Sequence, residues 1–163
     1  MAATEVDRSL EKIAAETTVS RLLNVTCSEL AALFDASRCS VSRIIGDLLV
    51  ELGDYHRSGE PPMLELFLVS DYPLTQEVIE SGEPRVVLRT DPSADPAEAA
   101  LLERLGLDSL LMLPLRSRGQ NWGLVEIYAD DRSFEADEID LAITAVDRIG
   151  ELLAALESGV PHA

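Results

Sequence analysis

Along residues 4–36 the apolar positions recur at steps of three and four. Leu10, Ile13, Leu22, Leu23, Cys27, Leu30, Ala31 and Phe34 form a one-sided stripe, which predicts helix across this stretch. The polar patch TTVS at 17–20 predicts a break, leaving a short leading helix and a second one from about Val19. The period then changes to two. In SRCSVSRII (37–45), Cys39, Val41, Arg43 and Ile45 point one way and Ser40, Ser42 and Ile44 the other, as in a strand. Gly46 and Asp47 supply a turn, and a second strand runs to about His56, completing a hairpin. After the loop RSGEPP (57–62), MLELFLVS (63–70) offers a third strand.

Asp71-Tyr72-Pro73 predicts a helix start, because Tyr72 precedes a proline and Pro73 suits a first helical turn. That helix stops at Gly82, a C′ glycine. PRVVLR (84–89) reads as a strand, residues 97–105 as a short helix ending at Gly106, and 109–115 and 122–128 as two strands joined by the turn RSRGQN. Pro114 cannot donate to a ladder, so its strand should meet an edge or a bulge there. A long helix from about Ala136 to 157 carries two seven-residue apolar series, Ile139, Val146, Leu153 and Ala142, Ile149, Leu156. The order of elements predicts an α+β domain with a largely antiparallel sheet.

Composition narrows the chemistry. The chain of 163 residues is long enough for one domain and is 47% hydrophobic but 4% aromatic, so its core is mostly aliphatic. Thirty acidic against thirteen basic residues give a formal charge of −17, which repels phosphate backbones and anionic membranes and argues against nucleic-acid or membrane partners. Cys27 and Cys39 form no CxxC pair, and His56 and His162 have no metal-ligand spacing, so no metal site or cofactor is implied. Cys27 lies on the apolar stripe and reads as a buried structural thiol. The N-terminus lacks the apolar core of a signal peptide, no run is long enough to span a membrane, and the expected location is cytoplasmic. No nucleophile–base constellation or phosphate loop is present, so no catalytic residue is nominated and the expected class is non-enzymatic.

The stretch YPLTQEVIESGEPRVV (72–87), followed by SLLMLPLRSRGQNWGLVEIYADDRSFEADEIDLA (109–142), resembles the GAF family of small-molecule sensor and dimerisation domains, and the resemblance extends over about residues 20–157. It implies a central antiparallel sheet of about six strands, with N- and C-terminal helices on one face. Short helices and loops would enclose a pocket on the other. The implied division is an N-terminal helical extension (1–18), a GAF-like domain (19–157) and a tail (158–163).

Family ligands can be weighed residue by residue. Cyclic-nucleotide members carry an N-K-x-x-D type motif; here Asn24 and Asn121 are not followed by lysine, although Ser40 resembles a ligand-facing serine and Asp54 falls near another contact position. Bilin members use a cysteine commonly followed by His, which neither Cys27 nor Cys39 is. Haem members need an axial His, for which His56 is the only candidate inside the domain. Members that reduce methionine sulfoxide need more cysteines than this chain has.

The lining that the resemblance implies is Ser40, Ser42, Asp54, Tyr72, Thr75, Arg89, Asp91 and Met112. Arg43 reads either as a snorkelling side chain or as an anion-binding one. The paired heptad series predict a homodimer through Leu10, Ile13, Ile139, Val146, Ile149, Leu153 and Leu156, against the alternative of a single broad buried stripe. Two functions stay open: a domain that senses an unknown small molecule and regulates an output or signalling partner, and a ligand-free dimerisation or docking module.

Overall fold

Thr18 marks the division of the leading helical stripe. Its backbone is extended and its hydroxyl accepts the Arg21 amide at 3.3 Å, capping the second helix. The computed structural model describes residues 3–60 and 66–159. Helices α1 (Ala3–Ala14) and α2 (Val19–Leu33) are followed by the hairpin β1 (Arg38–Ile45) and β2 (Leu48–His56), then β3 (Leu66–Leu68). Next come α3 (Pro73–Ser81), β4 (Arg85–Leu88), α4 (Pro96–Leu105), the hairpin β5 (Ser109–Ser117) and β6 (Gln120–Ala129), and α5 (Ala136–Glu157).

The third strand is shorter than the alternation of 63–70 predicts, and 63–65 lie outside the described residues. Asp47 explains where it ends. Its carboxylate accepts the Ser70 amide at 2.9 Å and the Ser70 hydroxyl at 2.6 Å, and its carbonyl accepts the Val69 amide, so the chain curls into a single 3-10 turn. Pro114 sits where its missing N–H costs nothing. β4 pairs with β5 only from Ser109 to Met112, so the proline lies beyond the end of that neighbour.

The six strands form one antiparallel sheet in the order β3-β2-β1-β6-β5-β4. Alternation sends Cys39, Val41, Leu111, Leu113, Val125 and Ile127 into a core with α1, α2 and α5. The opposite parity sends Leu110, Met112, Leu124 and Tyr128 into a second, smaller core with Val78 of α3 and Leu102 of α4.

The placement of α5 corrects the expected dimer surface. Val146, Ile149 and Leu153, with Ile13 of α1, are at most 1% exposed inside the chain's own core. The helix crosses the sheet, so its heptad series is one buried stripe. Its outer face carries exposed Asp140, Thr144, Asp147, Arg148 and Glu151 instead. Leu10, Ile139 and Leu156 are half-buried at the margin of that core.

Gly150 lets α5 come this close. A Cβ there would lie 2.0 Å from the carbonyl oxygen of Arg116 on β5, a backbone atom that cannot turn aside. Gly150→Ala should therefore destabilise the fold by about 2–3 kcal/mol in urea unfolding. Glu151→Ala, one residue on and exposed, should change stability by less than about 0.5 kcal/mol.

Candidate functional site

A cavity lies between the sheet and the short helices, on the face opposite α1, α2 and α5. From β1 it receives Arg38, Ser40 and Ser42, three residues of one alternating set; from β2, Leu49 and Glu51; and from β6, Glu126 and Tyr128. Phe67, Tyr72 and Thr75 close one side, and Glu98, Leu101, Arg104 and Leu105 of α4 close another. The Tyr72 ring stands edge-on to Phe67, with centroids 5.7 Å apart and planes at 76°. The space open to the centre of a water molecule is about 30 Å³.

Four of the expected lining residues meet here: Ser40, Ser42, Tyr72 and Thr75. The other four do not. Arg89 leaves β4 on the far side and pairs with Asp108 at 2.6 Å, mostly in solvent. Asp91 ties its own turn, its carboxylate accepting the Ser93 amide and hydroxyl at 2.9 and 2.8 Å. Met112 packs in the second core and is closed off from the cavity. Asp54 stands just behind the lining, 3.6 Å from Nε of Arg38 and 3.0 Å from Nε2 of His56. Arg43 reaches over the Trp122 ring at 5.1 Å and towards Glu157 at 3.6 Å, a snorkelling side chain clear of the cavity. Cys27 and Cys39 are fully buried in the helix-side core, so neither thiol opens onto the site.

The most informative residues of the site are ionisable ones that the nominations left out: Arg38, Glu51, Glu98 and Glu126. Arg38 lies over the Tyr128 ring at 5.4 Å and contacts Glu51 at 3.4 Å. Glu98 accepts the Thr75 hydroxyl at 2.6 Å, while its other oxygen, Oε2, is buried with no partner. Glu126 accepts the Tyr128 hydroxyl at 2.9 Å. Burial pushes the Glu51 carboxyl up to about 7, against the pull of Arg38. Burial, reinforced by the charge of Glu98, pushes Glu126 up to about 8, and burial raises Glu98 as well. Each was visible as an acid within an apolar strand or helix: LLVELG, WGLVEIY and PAEAALL.

No three of these carboxylates converge closely enough to ligate one metal ion. Among the described residues only Asp108, Asp130 and Asp131 have that spacing. They lie outside the cavity, and the two oxygens of Asp108 already accept from Arg89 and the Asp131 amide.

The sheet order, the helices on its two faces and the cavity between sheet and short helices define a GAF-type α+β fold. The sequence matches the GAF domain family over residues 18–153, and the chain belongs to that family. A comparison with curated protein sequences finds no significant match. Among solved structures, a bacteriophytochrome of the photosynthetic bacterium R. palustris superposes with a TM-score of 0.83 at 13% identity, over 95% of this chain and 38% of that one. The photosensory core of Stigmatella aurantiaca phytochrome gives 0.80 at 16%, over 95% and 36%. This chain thus spans little more than a third of either protein. The phycocyanobilin-bound GAF domain of a cyanobacterial phytochrome gives 0.80 at 18%, over 98% and 97%. At these identities the likeness is one of fold.

The raised carboxyls have a consequence for stability. Between the unfolded value near 4.5 and the folded value near 8, Glu126 keeps a proton in the fold that it loses on unfolding. Stability therefore falls as pH rises through that window and levels off above it. Glu126→Gln, which mimics the protonated acid, should leave the unfolding temperature nearly unchanged at pH 5. At pH 9 it should stabilise the fold by roughly 2 kcal/mol. Thermal unfolding of both proteins at the two pH values checks this.

Proposed function

We propose that the chain is a non-enzymatic regulatory domain in which binding of a small molecule in the cavity is read out through the terminal helices. The observation that carries this reading is Glu98, whose Oε2 is buried without a partner and which lines a cavity together with Arg38, Glu51 and Glu126. A closed apolar core has no use for such groups, which cost free energy unless paired. The relatives that bind phycocyanobilin do so in the same fold, but a bilin suits this cavity poorly: about 30 Å³ of open space is far too small, and no thiol reaches it. His56, the haem candidate, is engaged by Asp54 instead.

We take the division of the chain to follow function, with α1 as an extension to the GAF domain that starts near α2. We also propose that the protein is a homodimer, through the apolar margin left by Leu10, Ile139 and Leu156, and that it acts on a signalling partner in the cytoplasm. No helix among the described residues is long and apolar enough to cross a membrane. With −17 formal charges on each copy, association should strengthen with salt as repulsion is screened. The second reading, a ligand-free docking module, is favoured by the small size of the cavity and by Ile45, Leu48, Leu66 and Leu68, exposed at the edge of the sheet.

Native mass spectrometry of protein purified without refolding, followed by denaturation of the same sample, separates the two. A stoichiometric extra mass released on denaturation supports sensing; its absence, with cavity substitutions that leave partner binding intact, supports docking. Light scattering should give a dimer mass at 0.5 M salt, and Leu10→Asp together with Leu156→Asp should return it to a monomer. A wild-type monomer at every salt concentration refutes dimerisation.

A further inference from the structure

We propose that the cavity is built for a small organic cation, an alkyl ammonium or alkyl guanidinium, with Glu98 and Glu126 as its carboxylate partners. The proposal rests on the reading of the cavity as a ligand site and specifies what that ligand is.

The charges of the cavity are unbalanced in a particular way. Arg38 makes its ion pairs on the β2 side, with Glu51 at 3.4 Å and Asp54 at 3.6 Å, while its guanidinium lies over the Tyr128 ring of β6. Glu98 and Glu126 come from different elements, α4 and β6, and the hydrogen bonds they make are with the neutral hydroxyls of Thr75 and Tyr128. Neutral donors do not compensate a buried carboxylate as a cation does. Glu98 is 1% exposed, and its Oε2 remains without a partner. Burial holds both acids towards their neutral forms, with the charge of Glu98 adding to the shift of Glu126, and an incoming cation supplies the charge that lets them ionise.

Three alternatives fit less well. A metal ion held by three carboxylates would need their oxygens close together, and no three acids of the cavity lie that close. An anionic ligand would meet three carboxylates, Glu51, Glu98 and Glu126, against two arginines, Arg38 and Arg104, in the lining. A neutral ligand would bring no counter-charge to Glu98, whose Oε2 has no partner. The remaining lining gives the cation its shape. Leu49, Phe67, Leu101 and Leu105 form apolar wall beside the acids, matching a charged head on an alkyl stem. Two N–H donors on one head, as in a guanidinium, can serve two carboxylates from different directions. The narrow space suits the head alone, with the stem leaving along the apolar wall.

The test uses the whole chain and the probes agmatine and n-butylamine, with n-butanol as neutral isostere, butyrate as anion and magnesium chloride as a metal. Calorimetry should show saturable binding of agmatine and butylamine and none of the other three. Glu98→Gln and Glu126→Gln, isosteric changes that the fold tolerates as the protonated acids, should each weaken agmatine binding by about tenfold or more. Asp147→Asn, an exposed acid on α5 far from the cavity, should leave it unchanged, which separates the site from general attraction to an acidic surface. The inference is overturned if neither amine binds, or if both Gln variants bind agmatine as the wild type does. If biliverdin or a cyclic nucleotide then binds the wild type, the cation class falls and small-molecule sensing stands. If none of these binds and native mass spectrometry finds no ligand, both fall together.

Discussion

The register of β6 between β1 and β5 is the constraint on which the site depends. Ser40 stands opposite Glu126, and Glu126 opposite Met112; one step away, Val41 stands opposite Val125, and Val125 opposite Leu113. The first row faces the short helices and the second faces α1, α2 and α5. A slip of one residue would exchange the rows, placing Glu126 under α5 and Val125 in the cavity. The apolar pairs hold the acid where it is. Four fully or almost fully buried residues of β1 and β6, Cys39, Val41, Val125 and Ile127, fix the register from the helix side. Glycine reinforces it: a Cβ on Gly123 would lie 1.9 Å from the Ser42 carbonyl oxygen, so the two strands approach there as only glycine permits.

That arrangement lets the larger core carry the cost of the smaller one. The helix-side core is dense and apolar, with α5 pressed onto β5 at Gly150. The cavity side contains Arg38, Glu51, Glu98 and Glu126, groups that a core selected for stability alone would replace with apolar ones. Electrostatic strain of this kind is concentrated at sites of function. It is also pH-dependent, because Glu51 and Glu126 hold protons in the fold that they lose on unfolding.

The sequence was most legible where one period ruled. The threes and fours of the leading helices, the alternation of β1 and the Pro73 to Gly82 helix all have one-sided surroundings, and local pattern predicts them closely. The break at Thr18 was visible as polar residues interrupting the stripe. The fate of α5 was less legible, because a seven-residue apolar repeat satisfies a partner helix and a chain's own sheet equally well. Only the exposed acids on its outer face, Asp140 and Asp147, distinguish the two, and they say that Val146 and Leu153 face inward. In the site, strand parity correctly placed Ser40 and Ser42 but was not followed to Glu126, which shares their face. Arg89 and Asp91 looked functional as charged loop residues, yet each is occupied in holding its own turn. Charge inside an apolar strand points to the cavity more directly than charge in a loop, because burial has to be compensated and exposure does not.

The same two-faced strands limit how the cavity can communicate. β1 and β6 present side chains to both cores, with Ser40 and Glu126 on one face and Val41, Val125 and Ile127 on the other. Glu126 and Arg38 are carried by the same strands whose other face seats α2 and α5. Helices α3 and α4 touch the cavity but not the larger core, so they can move to admit a ligand while leaving the terminal helices in place. In the proposed sensing role, coupling between occupancy and helix packing would depend on whether the ligand draws on sheet residues or on α4 alone. A ligand bridging Glu98 to Glu126 draws on both, and that bridge is what would convert opening of the short helices into strain on the sheet.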